Sequence, residues 1–258
     1  MPSRKDSQHQ DEYEIEPGVF VPRVTKILSC IAKPALVGWA RNTARDNTIR
    51  VAGELYSAVR KGTKPEEFKE ALRKRMTYPE LIMGTEDAAD IGTALHHRVE
   101  AEMRAELGEM VQVPDIAETV VDRDGNRTEN PVMLAYTQYR RWRGQHDIEP
   151  VKAEVRVISR LGYAGTVDLF AKVDGAMALI DYKTSKAIYP EYKIQVAAYR
   201  AAAAEEGMLD PDSPALIVRF PKLAEDELEI CPVLPAEQAG LMKVFRAALV
   251  LWQGGYGR

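Results

Sequence analysis

The chain has 258 residues, 45% hydrophobic and 29% charged, with a formal net charge of −4 at pH 7. These proportions fit a soluble globular protein of one large or two small domains, and no apolar run approaches the length needed to span a bilayer. The acidic balance argues against a polycation that coats nucleic acid indiscriminately, since that binding comes from neutralising phosphates, so any such contact must use local patches.

The first residues, MPSRKDSQHQDEYEIEPG, lack the apolar core of a secretory signal and read as a flexible tail over 1–17. Residues 24–61 have a helical pattern, in which Pro34 suits a helix start and Leu36, Trp39 and Ala40 keep helical spacing. Thr63-Lys64-Pro65-Glu66 reads as a capping box opening a short helix. A longer helix is expected from Glu86 to Leu107, with Ala88, Ile91, Leu95, Val99 and Met103 stepping by three or four. Gly92, His96 and Glu100 form a second stripe beside it, at the edge of the core where a site can be lined. Residues 110–130 look like an excursion with an Asp124-Gly125 turn, and Asn130-Pro131 then caps a helix through Gln145.

The period then changes. Residues 151–159, 162–173 and 176–183 alternate as strands, joined by turns at Leu161-Gly162 and Asp174-Gly175. Connections this short imply an antiparallel meander. Pro190 starts an alanine-rich helix to Glu206, residues 215–220 and 227–232 are the last strands, and a closing helix follows Pro235. This order predicts a mixed α/β fold around a single sheet flanked by helices, with added N-terminal helices. Domain limits are expected at 1–17 for the tail, 18–84 for a helical region and 85–258 for the core, within a single domain overall. No internal repeat or low-complexity tract occurs.

Three basic patches, Arg60-Lys61 with Lys64, Arg73 to Arg75, and Arg140-Arg141-Trp142-Arg143, each read first as a solvated helix face. The two cysteines, Cys30 and Cys231, point to a reducing intracellular setting and leave no four-cysteine metal site within one chain.

Asp168 is a charge inside an apolar strand, and Asp181 follows Ala178-Leu179-Ile180 in the next. A buried carboxylate needs a cation or hydrogen bonds. Singly, each can pair with a nearby Lys or Arg; together, adjacent antiparallel strands bring them to one point. Alternation puts Asp181 and Lys183 on one face with the Tyr182 side chain opposite, leaving the Tyr182 carbonyl as an oxygen ligand. Oxygen-rich ligation suits Mg²⁺ or Mn²⁺, which can hold a phosphodiester and activate water, while Lys183 stabilises charge. Glu154 is either a third carboxylate at this centre or an outward strand residue. His96 adds a nitrogen donor, whereas His97 points about 100° away around the helix. Gln195 and Tyr199 share a helix face; either Tyr199 packs in the core with Gln195 exposed, or the two contact phosphate or position the Lys183 region.

GTALHHRVE, Glu154, GTVD, IDYKTSK and QVAAY, in this order, resemble the PD-(D/E)XK nuclease superfamily. The likeness is to the branch with the RecB nuclease domain, the CRISPR-associated adaptation exonucleases and many phage exonucleases, and it covers about residues 85–205. It implies a restriction-endonuclease-like core and a metal-dependent deoxyribonuclease, an exonuclease, working in phage or prokaryotic DNA recombination, replication or repair. It implies that His96, Asp168 and Asp181 bind the ion, Glu154 supports it and Lys183 serves the attacking water. Gln195 and Tyr199 fall where the branch carries its Gln and Tyr. DNA ends are the expected partner, with a recombinase, annealing protein or helicase beside them, in the cytoplasm and away from membranes. No iron–sulfur cluster is expected, and no GxxxxGK[ST] loop for ATP is found. A structure-selective endonuclease and a non-catalytic nucleic-acid-binding module of the same fold are the alternatives.

Overall fold

The computed structural model describes residues 12–31, 34–58, 64–76, 85–121, 126–222 and 226–256. Two compact units emerge, one from residues up to Ile31 and from Ile91 onward, the other from Ala32–Asp90. The smaller unit contains α2 (Pro34–Ala58) and α3 (Pro65–Arg75), with Val51 buried and Arg75 ion-paired to Glu54 at 3.5 Å. The Glu67 side chain caps α3 by accepting from Lys64 N at 3.3 Å. Thr63 lies outside the described residues, as do Arg60, Lys61 and the Asp124-Gly125 turn.

The larger unit begins with a hairpin of Glu12–Glu16 (β1) and Val19–Pro22 (β2), pairing Tyr13 with Val21 and Glu14 with Phe20. The reading of 1–17 as a flexible tail is therefore corrected for residues 12–16. Gly18 turns the chain at φ 78°, a conformation that suits a residue with no Cβ. A short helix, Val24–Ile27 (α1), and a 3-10 turn, Leu28–Cys30, follow, so the helical pattern expected from 24 to 61 is broken before Pro34.

Thr85–Glu106 (α4) buries Leu95, Val99 and Met103 on one stripe. The excursion holds a small hairpin, Thr119–Val121 (β3) with Arg127–Glu129 (β4). Asn130 Oδ1 then accepts from Val132 N at 2.9 Å, capping Pro131–Gln145 (α5). The central sheet comprises Ile148–Ser159 (β5), Tyr163–Val173 (β6), Ala176–Lys183 (β7), Ala215–Arg219 (β8) and Glu229–Val233 (β9), in that spatial order. Only β7 and β8 are parallel, and their crossover carries Pro190–Glu205 (α6). Asp174 and Gly175, at φ 50° and 84°, make the two-residue turn between β6 and β7.

Helices cover both faces. Val24 and Ile27 of α1, Val196 and Ala202 of α6, and Phe245 and Trp252 of Gln238–Gln253 (α7) form one core with Leu179 and Ile217. Leu95, Val99, Tyr139 and Trp142 form the other with Ile180, Tyr182, Val218 and Phe220. The expected mixed sheet flanked by helices is present. Val155 and Val167 pack with the first core but Ala153 and Leu169 with the second, so each strand changes face between them, at Glu154 and Asp168. Glu154 holds φ 50°, a left-handed conformation that interrupts strand alternation and costs a non-glycine residue about 1–2 kcal/mol. No helix among the described residues is long and apolar enough to cross a membrane.

Candidate metal centre

The ladder between β6 and β7 ends at Leu169 and Ile180. At the next position Asp168 Oδ2 accepts from Tyr182 N at 2.7 Å, so a side chain takes over where the strands part. Lys183 O bonds the opposite edge, accepting from Phe220 N at 2.8 Å. A residue's N–H and C=O share one strand edge, so the Tyr182 carbonyl faces the parting of β6 and β7, as a ligand there must.

Three elements deliver donors to that point. His96 Nδ1 of α4 lies 3.7 Å from Asp168 Oδ2, and donor atoms of His96, Glu154 and Asp168 all fall within 4.8 Å of one another. All three are half-buried, whereas His97 is exposed. Among the described residues no Lys or Arg is ion-paired to Glu154 or Asp168. Burial, then the charge of Asp168, pushes the Glu154 carboxyl up to about 7. Two crowded carboxylates short of positive charge, with an imidazole beside them, fit a divalent cation with mixed oxygen and nitrogen ligation. Glu100, one turn beyond His96, is occupied by Arg104 Nη1 at 2.9 Å.

Asp181 stands outside this trio. Its side chain is buried, with Oδ2 2.5 Å from Lys183 Nζ and Oδ1 accepting from Gln195 Nε2 at 3.2 Å. Burial pushes its carboxyl up against the pull of Lys183. Burial also works against the Lys183 ammonium, yet Asp181 and Asp168 together raise its pKa above the ordinary value. The amine is therefore held as a cation beside the trio.

Gln195 Nε2 also donates to Tyr199 Oη at 2.9 Å, and both side chains are buried. Gly165 makes room for this: a Cβ there would lie 2.2 Å from Tyr199 Cε1. The glycine of GTVD thus seats Tyr199, and Tyr199 orients Gln195 on Asp181. Gly92 lets α4 approach the segment after Lys183, where a Cβ would meet Thr184 Oγ1 at 3.0 Å. Of the basic patches, Arg73 and Arg75 pair with Glu70 and Glu54, and Arg143 binds Glu106 at 2.7 Å.

The β1–β2 hairpin, which was not expected from the sequence, docks on β5 and β6 beside this centre. Tyr13 Oη is 2.7 Å from Thr166 Oγ1, and Arg156 Nη1 donates to Glu14 O at 3.2 Å. The signal was present in the alternation of EYEIE and VFV around Pro17-Gly18.

A family model for the PD-(D/E)XK nuclease superfamily matches residues 67–250. No curated protein matches the chain. Among solved structures it is similar to an alkaline exonuclease from Laribacter hongkongensis, at 14% identity and a TM-score of 0.32, over 48% of this chain and 67% of that one. It is also similar to a protein from Eubacterium rectale assigned as an exonuclease, at 13% identity and a TM-score of 0.38, over 73% of this chain and 74% of that one.

Proposed function

This chain belongs to the PD-(D/E)XK nuclease superfamily, and on that premise we propose that it is a divalent-metal-dependent DNA exonuclease. The reading rests on one observation, the trio His96, Glu154 and Asp168 set beside the buried Asp181–Lys183 pair. A divalent ion held by His96, Glu154 and Asp168, with the Tyr182 carbonyl and Asp181 at its border, would polarise a phosphoryl oxygen and lower the pKa of water. The remaining chemistry belongs to the chain's own side chains. Lys183, kept protonated by Asp181 and Asp168, stabilises negative charge building on the phosphate oxygens. Asp181 aims Lys183, and Gln195 with Tyr199 fixes Asp181, so the ammonium does not reorganise when charge develops. His96 brings its imidazole to this point from α4.

The exonuclease assignment follows from the branch that the His96, Gln195 and Tyr199 motifs resemble. With it come a nuclease core over 85–258, to which the β1–β2 hairpin and α1 also belong, and work on DNA ends in phage or prokaryotic recombination, replication or repair. A recombinase, annealing protein or helicase would supply the ends, in the cytoplasm.

The test is a digestion time course on end-labelled linear DNA and matched RNA with Mg²⁺, Mn²⁺ or chelator. Cleavage of DNA in either ion and none in chelator is expected. A nitrogen ligand is softer than carboxylate oxygen, so activity in Mn²⁺ should equal or exceed that in Mg²⁺. Undiminished cutting in chelator, or no cutting of either nucleic acid, would remove the proposal.

A further inference from the structure

The β1–β2 hairpin is fixed to the sheet at three points. Tyr13 Oη meets Thr166 Oγ1, Glu14 O accepts from Arg156, and Arg23 forms an isolated parallel bridge with Ala164. Thr166 is two residues from Asp168, about 7 Å along the strand. The hairpin therefore stands next to the trio, on the side of β6 that leads into it.

Arg23 ends this hairpin with a side chain whose bonding is incomplete. Its guanidinium lies over the Tyr13 ring, 4.5 Å from the centroid. Its Nε is buried with no hydrogen-bond partner, and among the described residues no carboxylate is ion-paired to it. A buried donor without an acceptor costs about 1–3 kcal/mol, more on a charged group. The stacking holds the guanidinium plane in place, which leaves its terminal Nη groups, rather than the buried Nε, to a planar or tetrahedral anion.

We propose that Arg23, braced by Tyr13, is a subsite for a backbone phosphate of the DNA strand, beside the phosphate that is cut. The inference rests on the nuclease reading. Through this contact the hairpin anchors the strand without touching the reacting atoms. Tyr13 is then a positioning residue, acting through the guanidinium stacked on its ring.

Binding of a 5′-labelled single strand and of a blunt duplex to the Asp181→Asn protein tests this, with and without Arg23→Ala, Arg23→Lys and Tyr13→Phe. Arg23→Ala should weaken binding about tenfold and lower the slope of log affinity against log salt by about one. Arg23→Lys should recover part of the affinity and the whole salt slope, because charge returns without the fork. Tyr13→Phe keeps the stack and should bind normally. In the otherwise native chain, Arg23→Ala should raise KM with single-turnover cleavage at saturating DNA retained, and Mn²⁺ affinity unchanged. Unaltered affinity and salt slope in Arg23→Ala, or a loss matched by an equal fall in Mn²⁺ affinity and melting temperature for both Arg23 variants, would overturn the subsite. A native chain that cuts DNA while Arg23→Ala behaves identically removes the subsite alone. A native chain that neither binds nor cuts DNA removes the nuclease reading and the subsite with it.

Discussion

Asp181 and Lys183 meet at 2.5 Å with little access to solvent, so each exists to manage the other's charge. Asp181→Asn keeps the shape and the Gln195 contact but releases Lys183 from its orientation. Lys183→Ala leaves a buried carboxyl that is already pushed up by burial and takes a proton rather than stay charged. Both variants should keep native circular dichroism and lose cleavage by at least about a hundredfold, the scale of removing one charge-stabilising donor. Near-native rates in either would reassign the pair to a structural role. Glu154 gives a pH signature of its own. Its folded value of about 7 lies above the ordinary 4.5, so the metal-free fold binds the proton more tightly than the unfolded chain does. The stabilisation is fully present below about 4.5 and is lost as pH rises through about 7. Denaturation midpoints of chelated protein should fall over that window, and Glu154→Gln should flatten the fall. An ion must displace the same proton, so Mn²⁺ affinity should climb from pH 6 to 8, with proton release visible by calorimetry in two buffers. A pH-independent affinity would place Glu154 away from the ion.

At the level of elements, β6 and α6 are coupled through one missing methyl group. Gly165→Ala would place a Cβ 2.2 Å from Tyr199 Cε1, and the ring can yield only by dragging Gln195 off Asp181. An overpacking cost of about 1–3 kcal/mol is expected, together with a fall in kcat that Gly92→Ala does not share. The Thr184 hydroxyl facing Gly92 can rotate away; the tyrosine ring is walled in. Melting curves alongside kcat would show the difference, and equal behaviour of the two variants would break the chain from Gly165 to Asp181. The same elements mark what the sequence could disclose. Alternation exposed β5 to β7 and the face shared by Asp181 and Lys183, because period two survives wherever one side is buried. It left Glu154 open between two roles, since alternation puts it among Lys152 and Arg156, and only its φ of 50° turns it toward Asp168. Helical spacing located His96 beside the buried stripe. It carried no information that Tyr199 would bond Gln195 rather than fill space, because that contact depends on a glycine 34 residues earlier. The β1 strand escaped notice because three of its five residues are glutamates, and it is held by Thr166 and Arg156 instead of by a core of its own.

For the molecule as a whole, charge sets how DNA is met. A net charge of −4 repels duplex DNA at long range, while single positive groups such as Lys183 and Arg23 act only over short distances. Such a protein gains little from loose contact along an internal stretch, where phosphates are presented without any reacting geometry. A terminus differs, because a frayed end can enter strand by strand and bring successive phosphates to the fixed cations. Arg23 would then grip the strand beside the bond being cut, and each step of hydrolysis would regenerate an end for the next. Linear DNA should therefore be shortened progressively, and covalently closed circles should survive the same enzyme, time and Mn²⁺. Raising salt should slow the linear reaction, since the contacts are to phosphate rather than to bases. Rapid nicking or linearisation of closed circles would instead assign a structure-selective endonuclease, with the same trio and the same lysine performing the cut.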